Sequence, residues 1–277
     1  MRSFFPLLLA VTFVGGPGFA APVVFSDAGP GAADIQDTVD GFRAEFSALN
    51  PFTPTNEDPD GRREINWDGV PDALADPNEL PGDFFNANIP GRARGIEFVP
   101  TGETEGFEVS SSTASGVPIL FDAPDANSFF SPERIFRPIN GSSFDILFFN
   151  PLDQTTPALT RGFGAVFTGL EQVGQAVLSY FDIDGNLIAQ ESAPSSGSAN
   201  LSFLGVVFDD PLIAKVSVGT DLVGFDEAPV FDDFLYGEPI AVEDVAPIPL
   251  PAGLVFGLTS IAGLLVLRRR KVDSVAV

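Results

Sequence analysis

Apolar residues recur at every second position in a series of short runs: Ile96 and Phe98; Phe107 and Val109; Phe144, Ile146 and Phe148; Phe163, Ala165 and Phe167; Leu201 and Phe203; Ala214, Val216 and Val218; Phe234 and Tyr236. A β-strand turns successive side chains to opposite faces, so a period of two builds a strand with one apolar face and suits no helix. Clusters of Gly, Pro, Asn and Ser separate the runs and supply the turns between them. The pattern predicts an all-β fold, an antiparallel β-sandwich of half-buried strands. Phe occurs 28 times against one Trp and two Tyr, which makes phenylalanine rings the packing material of the core. Outside the two ends no window carries a convincing helical stripe. From residue 21 to about residue 78 the chain is rich in Asp, Gly, Pro and Asn and reads as long connections with one early strand.

The clearest local unit is "VLSYFDIDGNLIAQES", residues 177–192. Two alternating runs flank Asp184 and Gly185, a pair suited to a two-residue type I′ turn, so this stretch predicts a hairpin. Its DxDGN content also resembles the start of a calcium loop, but Gln190, Ser192 and Ala193 do not continue the ligand pattern. "VFDDFLYGEP", residues 230–239, reads as the last strand of a domain covering 21–239, with a short acidic, proline-bearing linker at 240–247.

There is no Cys and no His. Disulfide frameworks, Cys-rich zinc sites, thiol nucleophiles and every Ser-His or Cys-His catalytic arrangement are therefore excluded. Formal charge is −24, and five of the fourteen cations sit at the two ends, at Arg2 and at Arg268, Arg269, Arg270 and Lys271. Between the ends stand 37 acids and 9 bases, a balance of −28. Such a surface repels nucleic acid, which needs clustered Lys and Arg. It suits a solvated exterior or one that collects divalent cations.

The ends carry an address. Residues 1–20 place Arg2 before an apolar run, a Gly/Pro break and small residues at Gly18 and Ala20, the layout of a secretory signal peptide. Residues 252–267 carry no charge and as a helix would cover about 24 Å of a hydrocarbon core of about 30 Å. Adding residues 248–251 lengthens this to a short or tilted transmembrane helix, and Arg268, Arg269, Arg270 and Lys271 hold its end in the cytoplasm. The order Pro247, Ile248, Pro249, Leu250, Pro251, Ala252, then the apolar span, then the cations, resembles the C-terminal sorting signal of the PEP-CTERM class in its VPLPA-CTERM variant, with Ile248 where that motif has Val. The resemblance covers residues 248–277 as the sorting domain. It implies processing by an exosortase in a Gram-negative envelope, with an inner-membrane precursor and a product at the cell surface or in the extracellular matrix.

"DDFLYG" in the last run resembles the closing strand of exported jelly-roll sandwiches, several of which resemble carbohydrate-binding modules. That resemblance implies a structural Ca²⁺ shared between Asp232 or Asp233 and an early acid, Asp27 or Asp34. The densest polar cluster, "NEDPDGRREINWDGVPD" at residues 56–72, holds the only Trp. Trp67 with Asp68, Asn66 and Glu64 would suit a sugar face and its hydroxyls; Asp58, Asp60, Asp68 and Asp72 would suit Ca²⁺; and Trp67 would equally suit a core plug beside Asp-Gly turns. The sequence reading is a non-enzymatic surface or matrix protein with polysaccharide as a partner. A carbohydrate-binding module with structural calcium and a carboxylate-based glycan hydrolase are its rivals.

Overall fold

The computed structural model describes residues 21–111, 129–131, 134–222 and 228–245. The signal peptide expected at 1–20, the motif from Pro247 to Ala252, the membrane segment and the cations from Arg268 to Lys271 lie outside the described residues. Among the described residues no helix is long and apolar enough to cross a membrane.

Two large antiparallel sheets and one two-stranded ribbon make up the described strands. The larger runs β1 (Val23–Gly29), β11 (Leu201–Val207), β8 (Gly162–Thr168), β13 (Val230–Gly237), β5 (Phe136–Ile139) and β4 (Gly106–Val109), with β2 (Arg62–Ile65) also paired to β13. The smaller runs β10 (Leu187–Ser192), β9 (Val177–Phe181), β12 (Lys215–Gly219), β6 (Phe144–Phe148) and β3 (Ile96–Pro100). Every run of alternating residues in the sequence becomes one of these strands. The inner faces meet through rings: Phe98 and Phe144 of the smaller sheet pack on Phe136, Phe231 and Phe234 of the larger at centroid separations of 5.3–5.8 Å, tilted or edge-to-face. Each fully buried ring contributes roughly 1.5–3 kcal/mol by leaving water, which explains a core written in phenylalanine.

Strands β8, β11 and β13 are buried along their whole length, where alternation predicted half-burial. The outer face of the larger sheet is covered by α1 (Ala32–Ala44), a helix the sequence reading did not anticipate. Only Ile35, Val39 and Phe42 form its apolar stripe, against Val166, Phe203 and Leu235, and acidic positions such as Asp34, Asp37 and Asp40 dilute the pattern. So narrow a stripe is stabilised by packing on a sheet already formed rather than by propensity. Asp34 secures its start by accepting the Gly31 N–H at 3.0 Å.

The 177–192 hairpin forms, but its turn differs from the expected type I′. The loop runs from Asp182 to Asn186, the Gly185 N–H donates to the Asp182 carbonyl at 3.1 Å, and only Gly185 has positive φ, at 79°. Ile183 and Asp184 therefore occupy the turn centre, and Asp182 fastens it by accepting the Asp184 and Asn186 N–H groups. The expected linker also begins inside the fold, because β14 (Ile240–Ala241) pairs with β7 (Ala158–Leu159).

Candidate functional site

Strand β13 sits at the centre of the larger sheet and carries its one irregularity against β8. Phe231 lies opposite Phe167, but Phe234 lies opposite Ala165, so Asp232 and Asp233 together face the single position Val166. That is a β-bulge. It keeps Phe231 and Phe234 in the inter-sheet core and turns both carboxylates to the helix-covered face. On its other edge β13 passes from β5, paired at Phe231, to β2, paired from Phe234 to Gly237. Trp67 closes that gap: its Nε1–H donates to the Asp232 carbonyl.

Both carboxyls are buried, Asp232 at 0% exposure and Asp233 at 4%. The Phe130 N–H donates to Asp232 Oδ2 at 2.6 Å and the Ser131 N–H to Asp232 Oδ1 at 3.3 Å. Ser131 Oγ stands 2.6 Å from Asp233 Oδ1 and 3.2 Å from Asp232 Oδ1. A hydroxyl has one proton, which the shorter contact to Asp233 takes, so the second contact is satisfied when Asp232 holds a proton. The electrostatics agree. Burial, reinforced by the neighbouring Asp233, pushes the Asp232 carboxyl well above the usual range. Burial, partly offset by the Ser131 and Asp232 hydrogen bonds, raises Asp233 to about 6. Facing Asp233 are Glu64, which raises it, and Arg43, which lowers it. Arg43 binds Glu64 through Nε at 3.0 Å and Nη2 at 2.8 Å, and its guanidinium lies 5.8 Å from the Phe130 ring centre. Burial opposes ionisation of Glu64, but Arg43 and Arg62 outweigh it and hold that carboxyl below its ordinary value. The unit is thus a proton-sharing acid pair that fastens residues 130 and 131 onto the sheet.

Asp27 does not join this pair. It lies in the same cross-strand row, Asp27 opposite Phe203 and Phe203 opposite Val166, but three strand spacings, about 14 Å, separate it from the bulge. Its own carboxylate accepts the Thr38 hydroxyl at 2.8 Å and the Ala28 N–H at 2.9 Å. Calcium ligands must converge at about 2.3–2.6 Å from the ion, so Asp27, Asp232 and Asp233 do not fit one Ca²⁺. Asp34 is occupied at the start of α1. The second calcium set is divided too, since Asp58 accepts the Ser47 hydroxyl, whereas Asp68 accepts the Arg134 N–H and Asp72 the Arg134 guanidinium. Among the described residues no group of three or more acids is arranged to hold a metal.

Trp67 is the core plug. It is fully buried, stacked on Phe136 at 4.3 Å and 5°, with Phe85 and Phe234 edge-on. Its φ of 64° places a bulky residue in the left-handed region, which those contacts and the bond to β13 hold in place. Its rings are closed to any sugar, and Asp68 beside it is engaged with Arg134 and Asn66.

The sequence pointed at Asp232, Asp233 and Trp67 without showing that they form one unit, and it gave no sign of Ser131, which lies about a hundred positions upstream of the pair. It also concealed the buried pair Arg63 and Glu238, with Nε to Oε2 at 2.6 Å and Nη2 to Oε1 at 2.7 Å, since only the pairing of β2 with β13 brings them together. No family model matches the chain, and no curated protein or solved structure matches it either.

Proposed function

We propose that this is an exported, non-enzymatic surface or matrix protein, held at the inner membrane by residues 248–277 and released from that anchor by an exosortase cutting near Pro249–Ala252. The observation that carries this reading is where the packed chain ends. Strand β13 is central in the larger sheet, and Ala241, 2% exposed in the pairing of β14 with β7, is the last buried residue described. A cut between Pro249 and Ala252 falls downstream of every described element and leaves the contacts among those elements intact. The sandwich reads as jelly-roll-like, because the chain passes between the two large sheets from β2 to β3, β3 to β4, β5 to β6, β6 through β7 to β8, β8 to β9, β10 to β11, β11 to β12 and β12 to β13. Its acidic balance of −28 suits a solvated exterior. The cations from Arg268 to Lys271 hold the precursor in a cytoplasm-inward orientation.

Deletion of Pro249–Ala252 tests the sorting role in a host that carries an exosortase. The expected outcome is a folded protein retained in the inner-membrane fraction, while the unaltered chain reaches the surface or the medium. Equal release of the deleted chain would end the proposal.

A further inference from the structure

The two large sheets end in the strands β1, β4, β10 and β3, and a sheet end presents a row of unpaired N–H and C=O groups. Three of these ends are blunted. Along β4 the Asp76 and Leu80 N–H groups donate to the Val109 and Phe107 carbonyls, both at 2.8 Å, so the 76–80 stretch covers that side. The Phe98 N–H of β3 donates to the Gly82 carbonyl at 3.0 Å. Strand β10 is broken by the register shift between Leu187 and Ala189 and carries Glu191. Strand β1 has none of these devices. Its seven residues pair with β11 without a shift, from Val23 opposite Val207 to Gly29 opposite Leu201, and among the described residues no other backbone segment bonds to its far side. Val23 and Val24 are 48% and 41% exposed there. Helix α1 leaves this side open because its apolar stripe leans inward, onto Val166, Phe203 and Leu235.

Such an edge fits another extended strand, and charge decides whose. Between the chain ends stand 37 acids and 9 bases, so two copies repel each other over most of their surface. Asp27 is the one charge on β1, and it is turned onto its own chain, accepting the Thr38 hydroxyl and the Ala28 N–H. Antiparallel self-pairing with full overlap puts a two-fold axis at Ser26 and sets Val23 opposite Gly29, Val24 opposite Ala28 and Phe25 opposite Asp27, so no charge directly faces its like. We propose that β1 pairs with β1 of a second copy of this chain, joining the two larger sheets into one across that axis. Seven residues extend over about 24 Å. A contact of that length stays below the ~1,200 Å² of stable complexes, so the dimer is weak and forms with rising concentration. The pairing stands apart from the export reading: loss of sorting leaves the edge intact, and loss of pairing leaves sorting intact.

Analytical ultracentrifugation of the full chain in detergent is expected to show a monomer–dimer equilibrium with a Kd of about 10–200 µM. Ser26→Lys and Ser26→Glu each set like charges face to face on the axis and weaken the dimer about fivefold or more. An equimolar mixture of the two variants sets opposite charges there and associates at least about fivefold more tightly than either variant alone. The chain has no Cys, so Ser26→Cys supplies a second reading. Two cysteines opposite each other on the axis lie within disulfide reach, and oxidation with copper-phenanthroline yields a covalent dimer, whereas Gln190→Cys on the blunted β10 stays monomeric. Ser26 and Gln190 are both exposed, so these variants keep the fold. No association at about 500 µM, equal dimerisation of the parent and both charged variants, a mixture no tighter than either variant alone, or Gln190→Cys linking as readily as Ser26→Cys overturns the proposal.

Discussion

Asp233 is the residue whose titration reaches furthest into the fold. Its carboxyl, raised to about 6, is protonated in the folded chain over a range where the unfolded chain has lost the proton. The stability this supplies is complete below the unfolded value near 4 and is lost as pH rises through about 6, because a bare anion must then sit beside Asp232 with Glu64 close by. Glu64 works in the opposite sense, its lowered carboxyl stabilising the fold above the unfolded value and losing that effect in acid. Comparing a variant with the parent cancels such background. Asp233→Asn keeps an acceptor for the Ser131 hydroxyl and removes the anion. It is therefore expected to raise Tm at pH 8 by about 3–8 °C, from about 2 kcal/mol, with the gain vanishing near pH 4. Thermal melts of the two proteins across that range check it, and a difference independent of pH would refute the shared-proton account.

Helix α1 and the strands beneath it fit because two glycines meet. Gly164 of β8 lies directly opposite Gly205 of β11, and a Cβ at Gly205 would come within 2.6 Å and 2.8 Å of the Phe42 ring. The missing side chain of Gly205 is the recess that receives Phe42, and that of Gly164 leaves room for the Phe203 ring. Gly205→Val therefore overpacks the interface by about 1–3 kcal/mol, lowering Tm by about 3–10 °C and speeding amide exchange in α1. Unchanged Tm and exchange would show that α1 seats elsewhere. What the sequence made legible at this scale follows from physics. Runs such as 144–148 and 163–167 were readable because a strand's own side chains report its buried face. Helix α1 was obscure because its three apolar residues matter only against Val166, Phe203 and Leu235, contributed by three distant strands. The short strand β2 owes its pairing to β13, β5 pairs along its length with β4 and touches β13 only at Phe231, and the bulge is a register property that residues 232 and 233 cannot display by themselves. The same holds for the candidate site: Asp232 and Asp233 could be picked out as acids, but their burial and their bonds to residues 130 and 131 come from elements far along the chain.

Over the whole molecule, a phenylalanine-packed sandwich is followed by a segment that the proposal takes as a sorting tail. The described elements close on themselves before that segment begins, which is the arrangement a protein needs if it is to lose its anchor and keep its fold. Intact-mass analysis of the protein recovered from the cell surface or medium tests this most directly. The account predicts a chain that starts near Ala21 and ends between Pro247 and Gly253, with Arg268 to Lys271 removed. Recovery of a chain that extends through Val277 would contradict it.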